Sequence, residues 1–168
     1  MPHLLYLFAL LFLSLPAAAQ DWTTSTKILV KPGLSVGSIV LGRPLPDNVA
    51  SLYGTPTSTS EPLPGADGMD TGSVVFGSTD GFELRRGLLV KLNDGNGDQN
   101  VYSIYAKGVR AYTAEGVTAG MSMARARAIY PQASQGIDDM TGEPTLRIPG
   151  LLMLFANDRL TEMVVRRK

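Results

Sequence analysis

Apolar residues recur along this chain with two different periods. Over 73–77, 82–92, 101–106, 145–155 and 160–166, Val, Leu, Ile, Phe and Tyr are concentrated and interrupted by Gly or Asn/Asp, the pattern of strands joined by tight turns. Leu88, Val90 and Leu92 alternate, as do Leu151, Met153 and Phe155, so each of these strands presents one apolar face. Asn157-Asp158 predicts a tight turn between two of them, although Arg159 follows where glycine is usual.

Two stretches follow the helical period instead. Val49, Leu52 and Tyr53 stand at i, i+3 and i+4, behind a Pro46 suited to a first turn, which predicts a helix over 46–53. Gly54 is placed to end it in a left-handed conformation, and Pro56 forbids continuation. A second helix is expected over 122–130, with Ser122 as its N-cap and Pro131 as its stop. Ala124 and Ala128 would give this helix a small face able to approach a sheet closely.

The order of features then repeats. A glycine, a short helix, an aromatic beside a breaker and an apolar hairpin occur at 34–56 with 87–105, and again at 115–131 with 150–164. The expected fold class is therefore α+β: two tandem helix-plus-antiparallel-hairpin units, 27–109 and 110–168, with short helices packed on one face of an antiparallel sheet. A unit of this size is marginal alone, so one shared core is expected.

The N-terminus reads as a targeting segment. Leu4 to Leu15 is an apolar run broken only by Ser14, well short of the roughly 20 residues that a transmembrane helix needs. Ala17 and Ala19 fit the small-residue slots of a signal-peptidase site, so 1–19 is expected to be a signal peptide cleaved between Ala19 and Gln20. The stretch 20–26 would then be a flexible N-terminal segment. The mature chain is expected in the periplasm or outside the cell, with no transmembrane helix.

Composition narrows the chemistry. There is no cysteine, and the single histidine is His3, inside the proposed leader. Mature disulfides, thiolate or imidazole metal sites, a lipid anchor on cysteine and Ser-His-Asp catalysis are all excluded on that ground. Fifteen Lys and Arg balance fifteen Asp and Glu, so no net charge points to nucleic acid. Arg85-Arg86 and Arg166-Arg167-Lys168 read as solvated strand ends.

Three candidate constellations remain. Asp94, Asn96 and Asp98 have the alternate spacing of calcium ligands. However, Gln99 stands where that loop needs glycine and Tyr105 where it needs glutamate, so a plain hairpin turn competes with a calcium site. Asp138, Asp139, Glu143 and Glu83 are the carboxylates from which a glycan-hydrolysing pair would have to be drawn. The Pro- and Gly-containing stretch 60–72 reads as a long exposed loop.

Gly120-Met121-Ser122, the pattern Val49-x-x-x-Tyr53-Gly54-x-Pro56 and the two hairpins resemble a known superfamily. It comprises the SmpA/OmlA-type small components of the outer-membrane β-barrel assembly machinery and the similarly folded β-lactamase inhibitory proteins. The latter also have two tandem units. This chain departs from them in lacking a lipid-anchor cysteine and a disulfide pair, and in having Gly42-Arg-Pro in its first unit. The resemblance implies a non-catalytic fold that binds another envelope or secreted protein, without a cofactor. The residues expected at such an interface are Phe82, Arg85, Tyr102 and Tyr105, because aromatic and arginine side chains make good anchors. Tyr105 could equally pack into the core. Two other readings stand beside this one: a cell-wall glycan hydrolase using Asp or Glu, and a structural protein stabilised by calcium or another ligand.

Overall fold

A computed structural model of the chain describes residues 22–60, 71–80, 83–93 and 99–167. The proposed leader and its Ala19–Gln20 cleavage site, Phe82, the Asp94/Asn96/Asp98 triplet and most of the 60–72 loop lie outside these residues.

The chain runs through α1 (Trp22–Ser25), β1 (Lys27–Lys31), β2 (Ser35–Val36), β3 (Ile39–Val40) and α2 (Val49–Tyr53). Then come β4 (Ser58–Ser60), β5 (Thr71–Asp80), β6 (Glu83–Asn93), β7 (Asn100–Lys107), β8 (Arg110–Thr113) and α3 (Met123–Ile129). The last four strands are β9 (Ser134–Ile137), β10 (Pro144–Ile148), β11 (Leu151–Ala156) and β12 (Arg159–Arg166). Among the described residues the helices have four, five and seven residues, too short to hold themselves without tertiary packing.

The α+β expectation of helix-plus-hairpin units is overturned by these proportions. The protein is mostly β, built from an eight-stranded sheet, β4-β5-β6-β7-β12-β11-β10-β9, and a four-stranded sheet, β3-β2-β1-β8. The second sheet was not expected at all. Within the larger one every pairing is antiparallel, and β7 and β12 meet at its centre. The apolar stretch 145–155 holds most of two strands, β10 and β11, divided at Pro149-Gly150. In the smaller sheet β1 pairs with β2 antiparallel and with β8 parallel.

One main core lies between the sheets. Phe76, Leu88, Val90, Ile104, Met153, Phe155, Met163 and Val165 from the large sheet meet Ile28, Val30, Val36 and Ile39 from the small one. Tyr53, Ala126 and Tyr130 bring helices α2 and α3 into the same cluster. Thus the alternation of Leu88, Val90 and Leu92, and of Leu151, Met153 and Phe155, marks the face turned inward. The helical faces are placed differently from the reading above. Leu52 is exposed, as are Ala124 and Ala128, and α3 instead buries Ala126.

Backbone hydrogen bonds tie the layers together. Gly33 N–H donates to the Gly150 carbonyl, Gly42 N–H to Val101, and Val101 N–H to Arg43. Within 20–26, the stretch expected to be flexible, α1 buries Thr23 and sets Trp22 edge-on against Tyr53, ring centroids 5.2 Å apart.

Candidate functional site

The eight-stranded sheet has two faces, and the described helices and small sheet all pack on one of them. The other carries a separate, buried apolar cluster made of its own strands: Leu152, Leu154 and Val164, with the partly buried Tyr105 packed against them. Register explains the grouping. Leu89, Tyr105, Val164 and Leu152 stand opposite one another on β6, β7, β12 and β11, so their side chains share one face.

Tyr105 is the centre of this face. The Lys91 ammonium lies 5.6 Å and the Arg166 guanidinium 6.0 Å from its ring centre, within the range of cation–π attraction. Arg166 also donates to the Tyr105 hydroxyl at 3.4 Å. Lys91, Ser103 and Arg166 form the next row across β6, β7 and β12. The Ser103 hydroxyl is buried there and has no hydrogen-bond partner. A buried orphan hydroxyl is uncommon in a folded domain, and here it sits between two cations. The arrangement is a small buried apolar cluster with a half-buried aromatic ring beside it, held between two positive charges.

Tyr102 is the extra residue of a bulge where the register of β7 shifts against β6 between Lys91 and Leu92, and it is half exposed. Arg85 occupies a second bulge, where β6 shifts against β5. It is exposed and forms an ion pair with Asp80. Bulges re-aim a side chain out of the regular pleat, which explains why both residues project. They do not meet: Arg85 lines a cleft at one end of the sheets whose lining includes neither tyrosine. Tyr105 lies on the sheet face away from the main core, Tyr102 projects from the β7 bulge, and Phe82 lies outside the described residues.

The carboxylates weighed for glycan hydrolysis are placed as follows. Asp138 Oδ1 accepts from the backbone N–H groups of Met140 and Thr141 and from the Thr141 hydroxyl. Those bonds, the Thr141 backbone first, hold its carboxyl below the usual range, so it stays ionised where a general acid must hold a proton. Glu143 is the neighbour whose carbonyl accepts from Asp138 N–H, which closes the same turn. Among the described residues no three of His, Cys, Asp and Glu gather as a metal site.

Sequence reading missed Lys91, Ser103, Val164, Leu152 and Leu154 as members of this face. The signal was available only in part: Leu89, Lys91 and the alternate residues of 151–155 form the second face of strands whose first face had already been assigned inward. Arg166, expected as a solvated strand end, is partnered by Tyr105.

Comparison with protein-family models, with curated proteins and with solved structures finds no match. The resemblance described above therefore rests on its quoted residues alone, and the function has to be argued from the surroundings of Tyr105.

Proposed function

We propose that this protein is exported and binds another envelope or secreted protein through the face of its eight-stranded sheet that bears Tyr105, without catalysing a reaction. The observation that carries the reading is Tyr105, half-buried beside a small apolar cluster and flanked by Lys91 and Arg166. An aromatic anchor with an apolar surround and a charged rim is the usual anatomy of an interface hot spot. The two side chains that flank the ring are both cationic, so the partner group that meets Tyr105 is acidic. Tyr102, half exposed beside the row that holds Ser103, extends the contact surface.

The test is affinity capture from periplasmic extract or culture medium on immobilised protein, comparing the native chain with Tyr105→Ala. A hot-spot tyrosine removed from an interface weakens binding by about 2 kcal/mol or more, so the retained protein should be lost from the variant. Tyr105 also packs against the buried Leu152, Leu154 and Val164, so the variant should melt somewhat lower, and capture is compared at a temperature where both proteins are folded. Equal capture by both proteins defeats the proposal.

A further inference from the structure

A second surface has a different character. A cleft of about 1000 Å³ opens where the ends of the two sheets approach one another, beside α1 and the β7–β8 turn. Its lining contains Lys27, Arg85, Arg86, Lys107, Arg110 and Arg159, and no Asp or Glu. Six of the fifteen basic residues of a chain with no net charge are thus collected around one cavity. Thr23, Thr24, Thr118 and Thr161 add hydroxyl groups to the wall, while Val109, Ala111 and Leu160 form buried apolar lining.

Some of these cations have work elsewhere: Arg85 pairs with Asp80, and Arg159 donates to the Gly120 carbonyl. Lys27 and Arg110 differ. They are direct register partners on the parallel strands β1 and β8, both exposed, and neither has an anionic partner among the described residues. Like charges placed opposite each other on neighbouring strands are unfavourable. A bound anion between them would turn that repulsion into attraction to a common centre. Arginine forks match the oxygens of a phosphate group in pairs. A cleft with this many cations is suited to an oxyanion that carries more than one charge. Its volume lies in the range of small-molecule sites.

We propose that this cleft binds a phosphate-bearing anion, with Lys27 and Arg110 as its central contacts and the remaining cations as its rim. The inference does not rest on the protein-binding face, which lies on other residues, and either can fail without the other.

Calorimetric titration with sodium pyrophosphate at low ionic strength tests it. The native chain should bind, and added salt should weaken the binding. The double variant Lys27→Gln/Arg110→Gln should bind about tenfold more weakly or not at all, since it loses two charged contacts. Its melting temperature should be unchanged or higher because a like-charge pair has been removed; should the double variant fail to fold, Lys27→Gln alone decides. Arg125→Gln, which removes an exposed charge on α3, is the control and should bind as the native chain does. Two further arms separate the sources of phosphate. Sedimentation with phosphatidylglycerol vesicles, lost in the double variant and competed by pyrophosphate, assigns a lipid headgroup. Pyrophosphate binding without vesicle binding assigns a soluble phosphorylated ligand. No heat with pyrophosphate, or equal weakening by Arg125→Gln, overturns the proposal.

Discussion

Gly77 and Gly87 stand directly opposite each other across the β5–β6 hairpin, with φ of 131° and 133°. A Cβ at Gly77 would strike the Arg86 carbonyl, and one at Gly87 the Phe76 carbonyl. These two strands are the longest in the described structure, at ten and eleven residues. The glycine pair lets their backbones pass closer than side chains allow, one step beyond the Phe76–Leu88 pair that belongs to the core.

Gly87→Ala should therefore destabilise the protein by roughly 2–3 kcal/mol, combining backbone strain with a steric clash. Gly142→Ala makes the comparison: its φ is 71° but nothing lies within 4 Å of an added Cβ, so only about 1 kcal/mol of left-handed strain is expected. Urea unfolding of the two variants checks the difference, and equal losses would remove the clash from the account.

Helix α3 takes two caps from different parts of the chain. Ser122 Oγ accepts from Arg125 N–H at 3.4 Å, and Asp158 Oδ1 accepts from Met123 N–H at 3.1 Å. Asp158 also holds φ at 57° in the β11–β12 turn. Asp158→Gly loses the cap but relieves the backbone, whereas Asp158→Ala loses the cap and keeps the strain. Thermal unfolding should rank Ala below Gly, by about 1 kcal/mol.

A short hydrogen-bonded chain joins β8 to the end of α3. The Tyr130 hydroxyl lies 2.6 Å from Glu115 Oε2 and 3.0 Å from Thr113 Oγ1. Having one proton, it donates to the carboxylate, which can only accept. Tyr130→Phe leaves the buried Thr113 hydroxyl with one partner fewer, so a loss of about 1–2 kcal/mol is expected on denaturant unfolding.

The same chain makes stability depend on pH at both ends. The hydrogen bond from Tyr130, first, lowers the Glu115 pKa from its ordinary 4.5. Its contribution is present above pH 4.5 and is lost as pH falls through the lower folded value, because the unfolded chain takes up the proton first. Burial, then the Glu115 hydrogen bond, raises the Tyr130 pKa from 10.0 to about 12. That contribution is complete below pH 10.0 and is lost as pH rises through about 12. Tyr130→Phe should flatten the alkaline limb of a stability–pH curve and reduce the acid one. An unchanged alkaline limb would assign it to other groups.

Trp22, the chain's single tryptophan, packs edge-on against Tyr53. Its emission should report the docking of α1. Tyr53→Ala should shift that emission to the red in the folded state and cost about 3–5 kcal/mol as a core truncation. An unshifted spectrum would mean that α1 is held by other contacts.

What the amino-acid order determined by itself is the set of local choices. Alternation in 82–92 and 151–155 marks the inward faces, Gly54 ends α2 at φ 78°, Ser122 caps α3, and Asn157-Asp158 turns with both residues at positive φ. Each rests on groups a few residues apart, so the energy that decides it is carried by neighbours in sequence. The second sheet was illegible because β2 and β3 have two residues each and β8 four, too few to show a period. β2 and β8 are strands because β1 lies between them, and β3 because it pairs with β2; β1 meets β8 across some eighty intervening residues. The edge strands β4, Ser58–Ser60, and β9, Ser134–Ile137, are exposed along their length. Without an apolar side to bury, they are held by backbone pairing with β5 and β10. The candidate sites divide in the same way. Tyr102, Tyr105 and Arg85 could be named from their chemistry, but the bulges that aim Tyr102 and Arg85 arise from register between strands. Lys91 and Arg166 reach Tyr105, and Lys27 stands beside Arg110, only because pairing between distant segments places them there.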